Sequence, residues 1–372
     1  MNAARWRPRR GGGQDARSNP TPSANINPYR VKTSQRILVI RNDKLGDFML
    51  AWPALALLRA SLPQAHITVL VPAYTAPLAE ICPFVDAALI DPKLHGDLRN
   101  ARALGKLLTA SGFDAVITLF SRFDTGLAAW RAGIRWRLAP ATKLAQVFYN
   151  HRLKQHRSQS LKPEFEYNLD LVKFFLNEQG CPQAPLPPPP YLQFDAALIQ
   201  PLERNFKRTH AVPGGARLVF VHAGHGGSAN NLSVEQYAQL IRSLKSAGGQ
   251  HVVLTAGPDE EAKAQGLSAL LDGLPHTVYV SREGLVDFAK HLQFCDLFIS
   301  GSTGPLHVAA ALNCRTAAFF PRRRSSTALR WQTINAPERR LAFAPPAGSA
   351  ENDMRAIDAC AAAAEISRKF LA

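Results

Sequence analysis

Two series of short, apolar, β-branched runs alternate with helix-period segments, and a proline run at 185–190 splits them. No other feature constrains the chain as much. The first series places strands at 36–40, 67–71, 86–90 and 114–119, with helices at 48–62, 74–81, 98–110 and 164–179. The second places strands at 218–222, 251–256, 277–280, 296–300 and 316–320, with helices at 233–247, 259–271, 285–291, 305–312 and 352–370. Strands that recur only after a helix-length connection cannot pair as hairpins. They must lie parallel, with the connecting helices covering both faces of the sheet. Pro185 and the four prolines Pro187 to Pro190 make a stiff, extended segment that can join neither sheet. The expected fold is α/β, with two Rossmann-like doubly wound domains, 36–184 and 191–345, facing each other across a cleft. The linker is 185–190. The closing segment, 346–372, is expected to form a helix that packs back on the first domain.

Charge is distributed unevenly. Lys and Arg number 44 against 28 Asp and Glu, a formal net charge of +16. Residues 1–36 hold eight Lys/Arg and one Asp, a surplus of seven that leaves +9 to the rest. That opening stretch is rich in Arg, Gly, Ser and Pro and lacks the apolar centre of a secretory signal, so 1–35 reads as a disordered basic tail. A second basic stretch, 131–162, is less regular and interleaves Arg131, Arg135, Arg137, Arg152 and Arg157 with Trp130, Trp136, Phe148 and Tyr149. It reads as a solvated face, an acceptor-binding region or a membrane-facing patch. Such a balance favours anionic partners: phosphates, nucleic acid or an acidic membrane surface. No apolar run approaches the roughly 20 residues needed to span a bilayer. Five cysteines (Cys82, Cys181, Cys295, Cys314, Cys360) are scattered with no metal-ligand spacing, as in a cytoplasmic protein with reduced thiols.

Three strand-to-helix turns carry residues suited to chemistry. The first is Arg41-Asn42-Asp43-Lys44-Leu45-Gly46-Asp47. Here Asp47 either caps the following helix or presents a carboxylate at the C-terminal edge of a parallel sheet, where such folds hold ligands. In the second, Ala223-Gly224-His225-Gly226-Gly227-Ser228, three glycines in four positions let backbone amides approach an anion closely. The third is Ser300-Gly301-Ser302-Thr303-Gly304-Pro305-Leu306-His307. Pro305 suits a first helical turn, Ser302 or Thr303 would cap it, and the free N–H groups would face a diphosphate. His307 is either a packed residue or a ligand.

In this order, with the third stretch continued through Val308-Ala309-Ala310-Ala311-Leu312, the turns resemble glycosyltransferase family 9, the heptosyltransferases of lipopolysaccharide core synthesis. The similarity runs over about residues 36–335, and Arg330-Trp331 resembles that family's motif before its final segment. The resemblance implies a GT-B glycosyltransferase that inverts the anomeric centre and uses neither a metal nor another cofactor. It implies that Asp47 is the general base on the acceptor hydroxyl. The donor, ADP-heptose, would be held by Gly226, Gly227, Ser228, Ser302, Thr303, Gly304 and His307. Arg41 and Lys44 are expected to contact acceptor or phosphate. The implied partners are the nucleotide sugar, an anionic glycolipid acceptor and, peripherally, the cytoplasmic face of the inner membrane; nucleic acid is not among them. Ser302 stands where many members have Asp, and Asn230 where many have Lys. Both departures bear on the donor sugar rather than the fold.

The residues suit that chemistry. Sugar transfer needs a base for the incoming hydroxyl and positive or dipolar groups for the leaving diphosphate. A nicotinamide-dependent dehydrogenase would share the alternation, but no Gly-x-Gly-x-x-Gly follows the first strand. A nucleic-acid-binding protein would share the charge, yet no recognised module appears. A catalytically idle sugar-nucleotide-binding relative is the remaining alternative.

Overall fold

The computed structural model describes residues 35–142, 144–224 and 230–372. In the first half β1 (Arg36–Ile40), α1 (Leu45–Met49), α2 (Trp52–Ser61), β2 (His66–Val71), α3 (Ala76–Glu80) and β3 (Ala87–Ile90) are followed by α4 (Asp97–Ser111) and β4 (Ala115–Thr118). Then come α5 (Phe123–Arg131), β5 (Trp136–Pro140), β6 (His151–Leu153) and α6 (Glu164–Glu178). The strands make one parallel sheet in the order β3-β2-β1-β4-β5-β6. β1 lies at its centre because it is apolar on both faces. Ile37 and Val39 pack into one core layer with α2 and α6, while Leu38 and Ile40 pack into the other with Leu104, Leu108 and Ala128 of α4 and α5.

The second half runs α7 (Ala196–Thr209), β7 (Arg217–His222), α8 (Val234–Ser243), β8 (Gln250–Ala256), α9 (Glu261–Ala269) and β9 (His276–Val280). It continues with α10 (Leu285–Gln293), β10 (Leu297–Gly301), α11 (Gly304–Ala311), β11 (Thr316–Phe319), β12 (Arg340–Phe343) and α12 (Ala359–Ile366). Its parallel sheet has the order β12-β11-β10-β7-β8-β9. Strand order therefore reverses beside β1 in one sheet and beside β7 in the other, and ligands of such sheets bind outside the strand ends at that switch point. All three turns singled out in the sequence leave strands at these points: β1, β7 and β10.

Several elements differ from expectation. The helix expected over 48–62 breaks at Leu50–Ala51 into α1 and α2, with Pro53 in the first turn of α2, where its missing N–H does no harm. The basic stretch expected to be irregular supplies β5 and β6; the pattern is masked by Arg137 and Pro140 within β5 and by the shortness of the edge strand β6. The closing helix packs on α8 of the second half, not on the first. Gln236 Nε2 donates to the carbonyls of Met354 (3.0 Å) and Ile357 (3.1 Å), and the alanine face of α12 lies close against Leu240 and Ile241. The two halves meet over a continuous core in which Phe48 and Trp52 join Leu306 and Val308.

Candidate active site

Where the two sheet edges face each other, a cleft of about 720 Å³ opens. From the first half Lys44, Asp47 and Tyr74 line it; from the second come His222, Glu260, Ser302, Thr303, Gly304 and His307, with Arg323 and Trp331 at one end. Two glycines bring the walls together. A Cβ on Gly46 would lie 2.9 Å from His307 Cδ2, and one on Gly304 would lie 2.8 Å from Leu45 Cδ2. Any side chain at either position would force α1 and α11 apart.

Asp47 is not a helix cap. It is the third residue of α1, whose cap position is Lys44 and whose first N–H groups receive no side-chain cap. Its carboxylate instead pairs with the guanidinium of Arg41. Arg41 also donates from Nε to Asp43 (2.9 Å) and from one terminal nitrogen to Glu164 Oε1 (2.9 Å) and Asn168 Oδ1 (3.2 Å). Burial favours the neutral acid at Asp47; Arg41 works against this, while Asp43 and Glu164 add to it. The carboxyl is pushed up to about 6. Arg41 is itself buried, which disfavours its charge, but the three carboxylates around it hold its pKa above the ordinary value. A carboxylate that titrates near neutrality at the floor of a cleft can accept a proton from a bound hydroxyl. Arg41, expected to touch substrate, has a side chain only 3% exposed and lies outside the cleft lining; Lys44 is exposed within it.

Opposite stands the N-terminus of α11. Thr303 is its cap residue, in extended conformation, yet its hydroxyl makes no cap hydrogen bond. The Thr303 Oγ1 and His307 Nδ1 atoms are both buried without a hydrogen-bond partner among the described residues. Both residues line the cleft, where a bound polar group would satisfy these two atoms. Burial pushes the His307 pKa down to about 4, so its imidazole is neutral near pH 7. The three residues expected to hold the donor on the glycine loop, Gly226, Gly227 and Ser228, lie outside the described residues, as does His225; the loop's base is held by Asn231 Nδ2 donating to Ala223 O (3.1 Å) and Gly224 O (3.3 Å). Among the described residues no group of three His, Cys, Asp or Glu stands together as a metal ligand set.

Sequence reasoning missed Glu164, Asn168 and Arg157, and gave Arg330 no role. Glu164 follows Pro163 at the start of α6, where an acidic residue is the usual helix-start signal, so nothing in its local pattern marks it. Tyr74 was also missed; the Leu45 N–H donates to its hydroxyl at 2.9 Å, fixing the turn beside Asp47.

The family model described as glycosyltransferase family 9 (heptosyltransferase) matches residues 101–338. A Haemophilus influenzae protein provisionally named a glycosyltransferase is 48% identical over 90% of this chain and 96% of its own length. The Escherichia coli lipopolysaccharide heptosyltransferase 2 is 28% identical over 77% of this chain and 82% of its own. A solved structure of the Escherichia coli ADP-heptose lipopolysaccharide heptosyltransferase II superposes with a TM-score of 0.71 at 20% identity, covering 90% of this chain and 98% of that one. The two-sheet architecture is that of the GT-B heptosyltransferases.

Proposed function

The chain belongs to glycosyltransferase family 9, and from that premise we propose that it moves a heptose-like sugar from ADP-heptose to an anionic glycolipid of the lipopolysaccharide core. The similarity to the Escherichia coli lipopolysaccharide heptosyltransferase 2 and to the ADP-heptose lipopolysaccharide heptosyltransferase II structure supports this donor and acceptor. The observation that carries the reading is the pairing across one cleft of a near-neutral carboxylate, Asp47, with the two orphaned polar atoms of Thr303 and His307.

In this reading the donor diphosphate lies at the N-terminus of α11, where free N–H groups and the positive dipole end meet it. The acceptor hydroxyl lies against Asp47. Its proton passes to the carboxylate as its oxygen attacks the anomeric carbon from the face opposite the diphosphate. The carbon–oxygen bond to the diphosphate then breaks, inverting the centre. Negative charge gathers on the departing phosphate beside Thr303 and the α11 amides, and Lys44 and Arg323 line the same cleft.

An acceptor anchored in lipid requires the first half to work at a membrane surface. Trp130, Leu144 and Val147 are 54, 83 and 68% exposed, and Phe148 lies 5.3 Å from Phe123 and 6.3 Å from Trp130 between ring centroids. Arg131, Arg135 and Arg152 of the same stretch are exposed. Exposed apolar side chains and arginines on one stretch of chain suit peripheral binding to the anionic cytoplasmic face of the inner membrane. No helix among the described residues is long and apolar enough to cross it.

The test is incubation of the full chain with a lipopolysaccharide-core acceptor and ADP-, UDP- and GDP-linked sugars, with and without EDTA, followed by mass spectrometry. The reading expects one heptose added from ADP-heptose alone, in both conditions. Transfer from another donor class, or transfer abolished by EDTA, overturns it.

A further inference from the structure

Arg41 is held by side chains of the first half, and one of them, Glu164, is held in turn by a residue of the second. Glu164 and Asn168 stand one turn apart on α6 and both accept from the same Arg41 nitrogen, at 2.9 and 3.2 Å. Asn168 Nδ2 donates to the Leu50 carbonyl (3.1 Å), which ties the same helix face to the end of α1. Glu164, with a side chain 2% exposed, also receives Arg157 at 2.7 Å and pairs with Arg330 from the second half. The Glu164 N–H donates to the Arg330 carbonyl (2.9 Å), and Arg330 donates to the Arg157 carbonyl (3.3 Å). The Arg330 and Arg157 guanidiniums lie 5.1 and 5.5 Å from the centroid of the Tyr167 ring.

Three guanidiniums thus converge on one buried carboxylate, and one of them reaches on to Asp47. Buried ion networks of this kind seldom add stability over packed apolar side chains, so stability is a poor reason for this one. Geometry supplies a better reason. Arg41, Arg157 and Arg330 carry three positive charges; Asp43, Asp47 and Glu164 carry three negative ones. The set is neutral when Asp47 is ionised. Once Asp47 has taken a proton, one positive charge stands uncompensated beside the cleft.

We propose that Glu164 is a positioning residue that sets how much of Arg41 is left to Asp47, and that Arg330 adjusts Glu164 from across the domain junction. Contact between the two halves thereby tunes the proposed base. This rests on the reading of Asp47 as that base. Removing the Glu164 charge leaves Arg41 more fully to Asp47 and lowers the affinity of Asp47 for a proton. Removing Arg330 leaves Glu164 less compensated, draws Arg41 toward it and raises that affinity. The other charged and titratable groups facing Asp47 are Asp43 and Lys44 on its own segment, Tyr74 after β2, His307 on α11, and Glu260 and Arg323 across the cleft; neither substitution falls on any of them.

The experiment titrates the Asp47 carboxyl in the full chain by carbon-13 NMR of labelled aspartate, identified by difference from Asp47→Asn, in Glu164→Gln and Arg330→Gln. No substrate is needed, so an absence of heptose transfer in the unaltered protein would count against the proposed function alone. The expected result is a shift of about one pH unit downward in Glu164→Gln and upward in Arg330→Gln. In the transfer assay the acidic limb of the pH profile should move in the same two directions, with kcat altered more than KM. Melting temperatures check folding. If Glu164→Gln does not fold, Arg330→Gln decides alone: an upward shift supports the inference. An unmoved Asp47 overturns it, as do shifts of the same sign in both variants, since a purely structural network would lose stability without opposed titrations.

Discussion

Asp47→Asn should make the protein more stable at pH 8 while removing its activity. The Asp47 carboxyl titrates at about 6 in the folded chain against an ordinary 3.8. Each unit is worth about 1.4 kcal/mol, so the folded state carries ionised Asp47 at a disadvantage of roughly 3 kcal/mol. The sign follows from linkage: the folded chain binds this proton more tightly than the unfolded chain does. The disadvantage is complete above about pH 7, shrinks as the pH falls through about 6 and is gone below about 4. Asparagine keeps the shape without the charge, and Arg41 keeps Asp43 and Glu164 as partners. A gain of up to about 3 kcal/mol corresponds to roughly 6 °C or more for a unit of this size. Differential scanning calorimetry of both proteins at pH 8 and pH 5 reads the gain and its decline. A loss of stability that is equal at both pH values would refute the reasoning, because Asp47 would then be held as a favourable ion pair and not as a strained one.

Other changes separate holding from chemistry. Arg41→Met leaves three carboxylates around an uncharged side chain and should lower stability by about 3–5 kcal/mol, read by urea unfolding at pH 8. Thr303→Val removes a buried hydroxyl that has no hydrogen-bond partner among the described residues; it should weaken ADP binding about tenfold or more by calorimetry and leave the melting temperature unchanged or raised. The kcat/KM of transfer should fall about tenfold per pH unit below about 6 and level off above it, because the proposed base, Asp47, would have to be ionised to accept the proton.

The parts of the molecule legible in the sequence are those set by local pattern. β1 could be read because Ile37 to Ile40 are buried on both faces, and α11 because Pro305 marks its first turn. Asp47 and Thr303 could be placed at strand ends from the same pattern. The role of Arg41 could not be read, because its partners Glu164 and Asn168 lie 123 and 127 residues away and meet it only through tertiary packing. Glu164 looked like any acidic helix start. α7 was missed because Pro201 interrupts an otherwise polar helix, and β12 because Arg340–Phe343 is a four-residue edge strand. The direction in which α12 packs was misjudged since an alanine-rich face fits any close partner.

The most direct test of Asp47 as the base is the rate of heptose transfer by Asp47→Asn at pH 8, measured with ADP affinity on the same sample. A base that touches the reacting hydroxyl but not the diphosphate predicts ADP binding within about twofold of the unaltered protein and transfer slower by about 10²–10⁴. Transfer within tenfold of normal, by a folded variant that binds ADP, would contradict it.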